Sequence, residues 1–227
     1  MKTLLVTGTD TDVGKTWISC ALLKHLRRQV DSVGAYKPVC SGVLTNSQGR
    51  RVWSDVEQLA AAVGWTGSRN QICPQRFDAP VAPHVAAELE NRSVDDALLD
   101  SGLQRWHALA THTIAEGAGG LLCPLSAQST VADLAVRLKC PILIVAANRL
   151  GVISHTMLTV EVARQRGLHV AGVVLNDCQA RDASSETNFK QLAYWLPKLS
   201  IWHCPHNSDE LLDADGNTNF SVMSCFA

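Results

Sequence analysis

The sequence predicts an α/β fold with a mostly parallel central sheet flanked by helices. Two observations predict it. Short strand-like runs recur at 3–6, 32–39, 112–116, 141–147, 170–175 and 199–203, with helical patterns between them; strands alternating with helices build a parallel sheet. The run Pro141-Ile142-Leu143-Ile144-Val145-Ala146-Ala147 is apolar throughout, as a strand covered on both faces must be.

The first strand feeds the loop Gly8-Thr9-Asp10-Thr11-Asp12-Val13-Gly14-Lys15-Thr16. A helix follows at once, with Trp17, Ile18, Ala21, Leu22 and Leu26 at three- and four-residue steps. Strand, glycine-bounded loop, Gly-Lys-Thr and helix is a phosphate-binding arrangement of the P-loop NTPase type. Backbone N–H groups of such a loop meet a polyphosphate at the positive end of the helix. Gly14 lets the backbone come close. Lys15 can reach the β- and γ-phosphates, and the Thr16 hydroxyl can hold Mg²⁺. The general pattern has four residues between its glycines; here five separate Gly8 from Gly14, and Thr9 stands at the usual first-glycine position. Asp10 and Asp12 add acid beside an anion site, which points to Mg²⁺ or an amine-bearing substrate nearby.

The second strand, 32–39, ends at Pro38, which holds Lys37 extended. Residues 40–54 are polar with Gly42 and Gly49 and read as a long loop, a length that suggests binding. A helix begins at Asp55, with Val56, Leu59, Ala60 and Val63 on one face and Ser54 as N-cap. Residues 64–78 read as irregular. Ala79-Pro80-Val81-Ala82-Pro83-His84 leads into a helix through Leu89. The next helix spans 94–110, with Asp95 and Asp96 in its first turn. The strand 112–116 ends at Glu116 and is followed by Gly117-Ala118-Gly119-Gly120. Helices at 131–138 and 154–165, the latter closed by Gly167, flank the strand 141–147. The strand 170–175 ends at Asn176-Asp177, a helix covers 187–196, and a last strand covers 199–203. From Asn207 the chain reads as an irregular polar tail with a short apolar patch at its end. No repeat or linker interrupts the 227 residues, so a single domain is expected.

A net charge of −1 gives no electrostatic reason to expect nucleic acid or an anionic membrane as partner. No apolar run reaches a membrane span, and no charged-then-apolar leader precedes the first strand; a cytoplasmic location is the expectation. The eight cysteines, at 20, 40, 73, 123, 140, 178, 204 and 225, form no C-x-x-C pair and read as reduced, mostly buried small hydrophobes. The cluster His203-Cys204-Pro205-His206 lacks the two-pair spacing of a zinc module.

Ligands of such sheets sit outside the C-terminal strand ends. That rule places the phosphate loop, Lys37, Glu116 and Asn176 on one rim. Thr16, Asp55 and Glu116 make an oxygen set suited to Mg²⁺, which keeps several waters. Asp55 reads equally as an acid that complements a helix dipole. Lys37 could neutralise a transferring phosphoryl group or be a solvated surface lysine; Ser41 is equally open. Asn176 could bond a base edge or be a turn residue.

Together these residues resemble the dethiobiotin synthetase family over about residues 3–178. The resemblance rests on the 8–16 loop, Tyr36-Lys37-Pro38-Val39-Cys40-Ser41-Gly42, Ser54-Asp55, Ala79-Pro80-Val81-Ala82-Pro83-His84 and Glu116-Gly117-Ala118-Gly119-Gly120. It continues through Asn148-Arg149-Leu150-Gly151 with His155, Leu158-Thr159, and Asn176-Asp177. The five-residue spacing inside the loop is normal in that family. The resemblance implies an ATP- and Mg²⁺-dependent enzyme that carboxylates 7,8-diaminononanoate with CO₂ and closes its ureido ring through a carbamate and a carbamic–phosphoric anhydride. It implies that Asp12, Val13, Gly14, Lys15, Thr16 and Trp17 wrap the phosphates, with Glu116, Gly117, Ala118 and Gly119 beside the nucleotide. Lys37 and Lys15 would act in catalysis, and Thr16, Asp55 and Glu116 would hold Mg²⁺. Thr11, Lys37 and Ser41 would contact the diamine, while Asn176, Asp177 and the loop at Pro205 would hold adenine. It also implies a homodimer in which Leu150, Gly151, Val152 and Ile153 meet the substrate carboxylate across the interface, as a helix N-terminus can. The chain departs from the family at Asp12, where glutamate is usual, and at His112-Thr113, where the family is more apolar; after about residue 180 the match fades. Two rival readings remain: a partition-type switch ATPase, which would carry a signature lysine where Asp10 stands, and a degenerate ATP-binding paralogue.

Overall fold

Val6 sits at the middle of the architecture because β1 (Lys2–Gly8) is flanked by parallel strands on both sides and its Leu4, Leu5 and Val6 are wholly buried. The computed structural model describes residues 1–179 and 182–226. From β1 the chain passes through the phosphate loop into α1 (Lys15–Leu26), which buries Ile18, Leu22, Leu23 and Leu26.

The predicted second strand is divided. β2 (Val33–Tyr36) joins the main sheet, while β3 (Val39–Ser41) belongs to a separate two-stranded sheet. Pro38 has no N–H to continue a ladder, and the Lys37 N–H turns away to Ile72 O at 2.8 Å. The following loop is not featureless: β4 (Leu44–Thr45) and β5 (Arg51–Val52) pair as an antiparallel hairpin. α2 (Ser54–Val63) is capped by Trp53, not Ser54. Trp53 holds the extended backbone of a cap while its carbonyl accepts from Val56 and Glu57; the Ser54 hydroxyl instead accepts from Gln58.

The stretch expected to be irregular contains α3 (Arg69–Ile72), capped by the Ser68 hydroxyl, and β6 (Gln75–Phe77), the parallel partner of β3. α4 (Pro83–Leu89) starts on its proline, which helix position N1 favours. α5 (Asp96–Gln104) is shorter than expected at both ends: Asp95 is its cap, accepting from Leu98 N, and the helix closes at Arg105. β7 (His112–Gly120) runs through the glycines, so Glu116 lies in mid-strand and does not end it. Gly117 packs so closely on Val131 that a Cβ would collide with it. α6 (Val131–Leu138) opens on a full capping box between Thr130 and Asp133.

β8 (Ile142–Ala147) is buried along its whole length. α7 (Val152–Gln165) begins two residues earlier than expected, behind Gly151 at φ 92°, a left-handed conformation that glycine tolerates. β9 (Val170–Asn176), α8 (Ser185–Trp195) and β10 (Ile201–Cys204) complete the sheet in the order β10-β9-β8-β1-β7-β2, with every ladder parallel. The tail is not wholly irregular. His203 and Leu212 form an antiparallel bridge, and a 3₁₀ turn at Val222–Phe226 buries Val222, Cys225 and Phe226 against α1, β1 and β9. All eight thiols are free, five of them buried. Among the described residues no helix is long and apolar enough to cross a membrane.

Candidate functional site

The C-terminal ends of β1, β2, β7 and β9 share one edge, and the loops above them build the site. Gly14 caps α1 in a left-handed conformation, φ 87°. A Cβ on it would run into the Asn176 amide, whose Nδ2 donates to Val13 O at 3.1 Å. Asn176, at the end of β9, thus buttresses the phosphate loop. Lys15 folds back over the loop and donates to Asp10 O at 2.8 Å. Burial lowers the pKa of its ammonium, against the opposing pull of Glu116.

Glu116 is the centre of a buried charge cluster. Its Oε1 accepts from Thr16 Oγ1 at 2.8 Å and from Lys37 Nζ at 2.6 Å. Lys37 Nζ also lies 2.7 Å from Asp55 Oδ2. Burial alone would lower the Lys37 pKa; Glu116 and Asp55 outweigh it and hold it well above the ordinary value. Burial works against the Asp55 carboxylate, yet Lys37 and Thr16 hold its pKa below the usual range. Glu116 Oε2 is buried without a hydrogen-bond partner.

That orphaned oxygen, the Thr16 hydroxyl and Asp55 are hard oxygen donors, and two carboxylates with one hydroxyl suit Mg²⁺, which keeps waters for its remaining positions. Among the described residues no cluster of three or more His, Cys, Asp or Glu side chains could hold a metal. Two carboxylates and one hydroxyl leave positions for water and phosphate oxygens, a donor set that fits a hydrated Mg²⁺.

A cavity of about 650 Å³ opens over this cluster. Its floor is Thr11, Asp12, Gly14, Lys15, Thr16, Lys37, Asp55 and Glu116, with Ala118 and Gly119 at one side. Its opposite wall is Pro80, Val81, Ala82 and Pro83, tied to Ser41 by a hydroxyl donating to Val81 O at 2.6 Å. Cys40 and Cys123 also line it. The proline-rich wall and these two thiols were not singled out as site residues from sequence, although the 79–84 motif was the available signal.

Other expected residues lie around the cavity. Val13 and Gly117 are buried beneath it. Trp17 is exposed and its Nε1 donates to Ser208 O at 2.7 Å. Asp177 is tied to three segments: Oδ1 accepts from Asn148 Nδ2 at 2.8 Å, Oδ2 meets His203 Nε2 at 2.9 Å, and its carbonyl meets His206 Nδ1 at 2.8 Å. Both histidines of the His203-Cys204-Pro205-His206 cluster therefore anchor the loop at Pro205 to the end of β9. Leu150, Gly151, Val152 and Ile153 do not reach the cavity of their own chain. Leu150 is 81% exposed, Val152 is buried, and Ile153 is half-buried at the start of α7.

A family model described as an AAA domain matches residues 2–200. The ATP-dependent dethiobiotin synthetase BioD of Anaeromyxobacter sp. (strain K) is 46% identical over 186 residues, 82% of this chain and 81% of that protein. BioD of Caulobacter vibrioides (strain NA1000 / CB15N) is 40% identical over 181 residues, covering 78% and 80%. BioD 1 of Salmonella typhi is 40% identical over 204 residues, covering 90% and 89%. Among solved structures, chloroplast FtsY from Physcomitrella patens superimposes with a TM-score of 0.55 at 15% identity, over all of this chain and 65% of that one. A ParA family ATPase from Chlorobium tepidum TLS gives 0.51 at 10% identity, over 99% and 90%. At such low identity the two structures bear on the P-loop NTPase fold alone. The sequence relatives go further, and the chain belongs to the ATP-dependent dethiobiotin synthetase family.

Proposed function

We propose that this protein carboxylates 7,8-diaminononanoate and closes its ureido ring to dethiobiotin at the expense of ATP, a step of biotin biosynthesis. The observation that carries the reading is the buried Lys37–Glu116 pair beside Thr16 on the floor of a cavity that also contains Lys15. Family membership supports the chemistry.

One amine of the substrate adds to CO₂ and loses a proton, giving a carbamate. A carbamate oxygen attacks the γ-phosphorus of ATP, the bond to the β-phosphate oxygen breaks, and ADP leaves. The second amine attacks the carbonyl of the resulting carbamic–phosphoric anhydride. It loses a proton as phosphate departs and the ring closes.

The residues divide the work by charge. Asp12, Val13, Gly14, Lys15 and Thr16 bind the phosphates, with Trp17, Glu116, Gly117, Ala118 and Gly119 flanking the nucleotide. Lys15 stabilises charge on the β- and γ-phosphates. Lys37, held cationic by its two carboxylates, stabilises the carbamate and the transferring phosphoryl group and does not serve as a base near neutral pH. Thr11 and Ser41 contact the diamine, and the wall from Pro80 to Pro83 excludes water from its alkyl chain. Asn176, Asp177 and the loop at Pro205 hold adenine. Mg²⁺, held by Thr16, Asp55 and Glu116, would neutralise the phosphate oxygens when bound.

The reading includes a cytoplasmic, single-domain protein that works as a homodimer. Leu150, Gly151, Val152 and Ile153 then serve the partner's substrate, consistent with their absence from the cavity of their own chain.

The test is product identification by mass spectrometry after incubation with the diamine, bicarbonate and Mg-ATP. The expected product is the diamine plus one carbonyl, less two hydrogens, formed one-for-one with ADP. Unchanged diamine after complete ATP turnover would contradict the reading.

A further inference from the structure

Trp17 stands directly behind the Gly14-Lys15-Thr16 turn, in the first turn of α1. Successive helical side chains project about 100° apart, so Thr16 and Trp17 face different ligands. Thr16 points to Glu116 on the cavity floor. Trp17 reaches across to the loop that follows β10, where its Nε1 donates to Ser208 O at 2.7 Å.

That loop is itself well anchored. Ser208 N donates to Pro205 O at 3.1 Å, and the Cys204 thiol donates to Ser208 O at 3.2 Å. His206 ties it to the end of β9, next to Asn176. The tail then follows α1 downward through Lys24–Asp209 and an edge contact of His25 with Phe220. The indole edge is thus fixed at both ends, its Cα in α1 and its N–H in the loop. Yet the residue remains 42% exposed, and its one polar group is already satisfied.

A nucleoside whose phosphates occupy the 8–16 loop must leave along the flank of the first turn of α1, whose free N–H groups face the phosphate. Asn176 and the loop at Pro205 bound the same flank. We propose that Trp17 is a stacking wall for the nucleobase, held edge-on by Ser208 so that an indole face meets the ring. The inference rests on the proposed ATP site and adds a nucleoside-affinity role to it. Stacking tolerates every base because each has a π-face. Trp17 therefore supplies affinity for the nucleoside, while discrimination among bases falls to the groups at its edge.

The test is calorimetric titration of the full chain with ADP, GDP and inorganic tripolyphosphate, for wild type, Trp17→Ala and Trp17→Phe. Trp17→Ala is expected to weaken ADP and GDP binding by a similar factor, roughly ten- to a hundredfold. Tripolyphosphate, which lacks a base, should bind within about twofold of wild type. Trp17→Phe, which keeps a ring without the Ser208 hydrogen bond, should recover most of the ADP affinity. Unchanged ADP binding in Trp17→Ala would overturn the proposal. So would equal losses for ADP and tripolyphosphate, which would mean that Trp17 only shapes the loop. Wild-type protein that binds neither ligand would overturn the ATP-site reading beneath it.

Discussion

Lys37 Nζ lies 2.6 Å from Glu116 Oε1, with both side chains closed to solvent. The pair joins the end of β2 to the middle of β7, and Thr16 from α1 completes it. Removing one member of a buried ion pair leaves the other charge stranded, at a cost of roughly 3–5 kcal/mol. Lys37→Met should therefore lower unfolding stability by about 3 kcal/mol and reduce diamine-dependent turnover at least about a hundredfold. Lys37→Met combined with Glu116→Gln should regain much of the stability but none of the activity. Urea unfolding and ADP release measure the two effects separately.

The pair with Asp55 sets the pH response. Asp55 has a lowered pKa, so its contribution to stability is present above the ordinary carboxylate value and is lost as the pH falls through the folded-state value. Lys37 has a raised pKa, so its contribution is present below the ordinary lysine value and is lost only as the pH rises through a still higher folded-state value. Between about pH 5 and pH 10 the two contributions should be flat. Asp55→Asn should shrink the acid-side loss and leave the Lys37–Glu116 pair in place. Stability measured from about pH 2 to pH 10 at fixed salt checks it.

Gly14→Ala should disable the nucleotide site without unfolding the protein. The new methyl would be forced into the Asn176 amide, and φ 87° disfavours any residue with a Cβ. The left-handed strain is of order 1–2 kcal/mol, while the displaced Asn176 releases the loop at Val13. Calorimetry should show ADP affinity reduced more than about tenfold, with far-UV circular dichroism unchanged.

Phe226→Ala should destabilise the fold by about 3 kcal/mol. Phe226 is buried and meets His112 edge-on at 5.1 Å between ring centres. Thermal unfolding of the variant measures the cost.

The first strand, loop and helix were legible because a polyphosphate site demands glycine, lysine and threonine at fixed positions. β8 was legible because burial on both faces leaves no polar residue. The β3–β6 pair was not, since three-residue strands are too short for alternation to stand out from chance. Glu116 was recognised as functional but placed at a strand end. The glycines that follow it read as a loop, whereas β7 uses Gly117 for close packing on α6. The apolar patch that ends the tail was legible, but not where Phe220, Val222, Cys225 and Phe226 pack, because tertiary contacts set their burial and no local pattern encodes those. The tie between Trp17 and Ser208 spans 191 positions and had no sequence signal.

In the proposed reaction ATP turnover is coupled to the diamine. The most direct measurement is ADP release by the purified protein with Mg-ATP and bicarbonate, with and without 7,8-diaminononanoate, in wild type and Lys37→Ala. Release should require the diamine and be lost in the variant. Hydrolysis indifferent to both the diamine and Lys37 would contradict it.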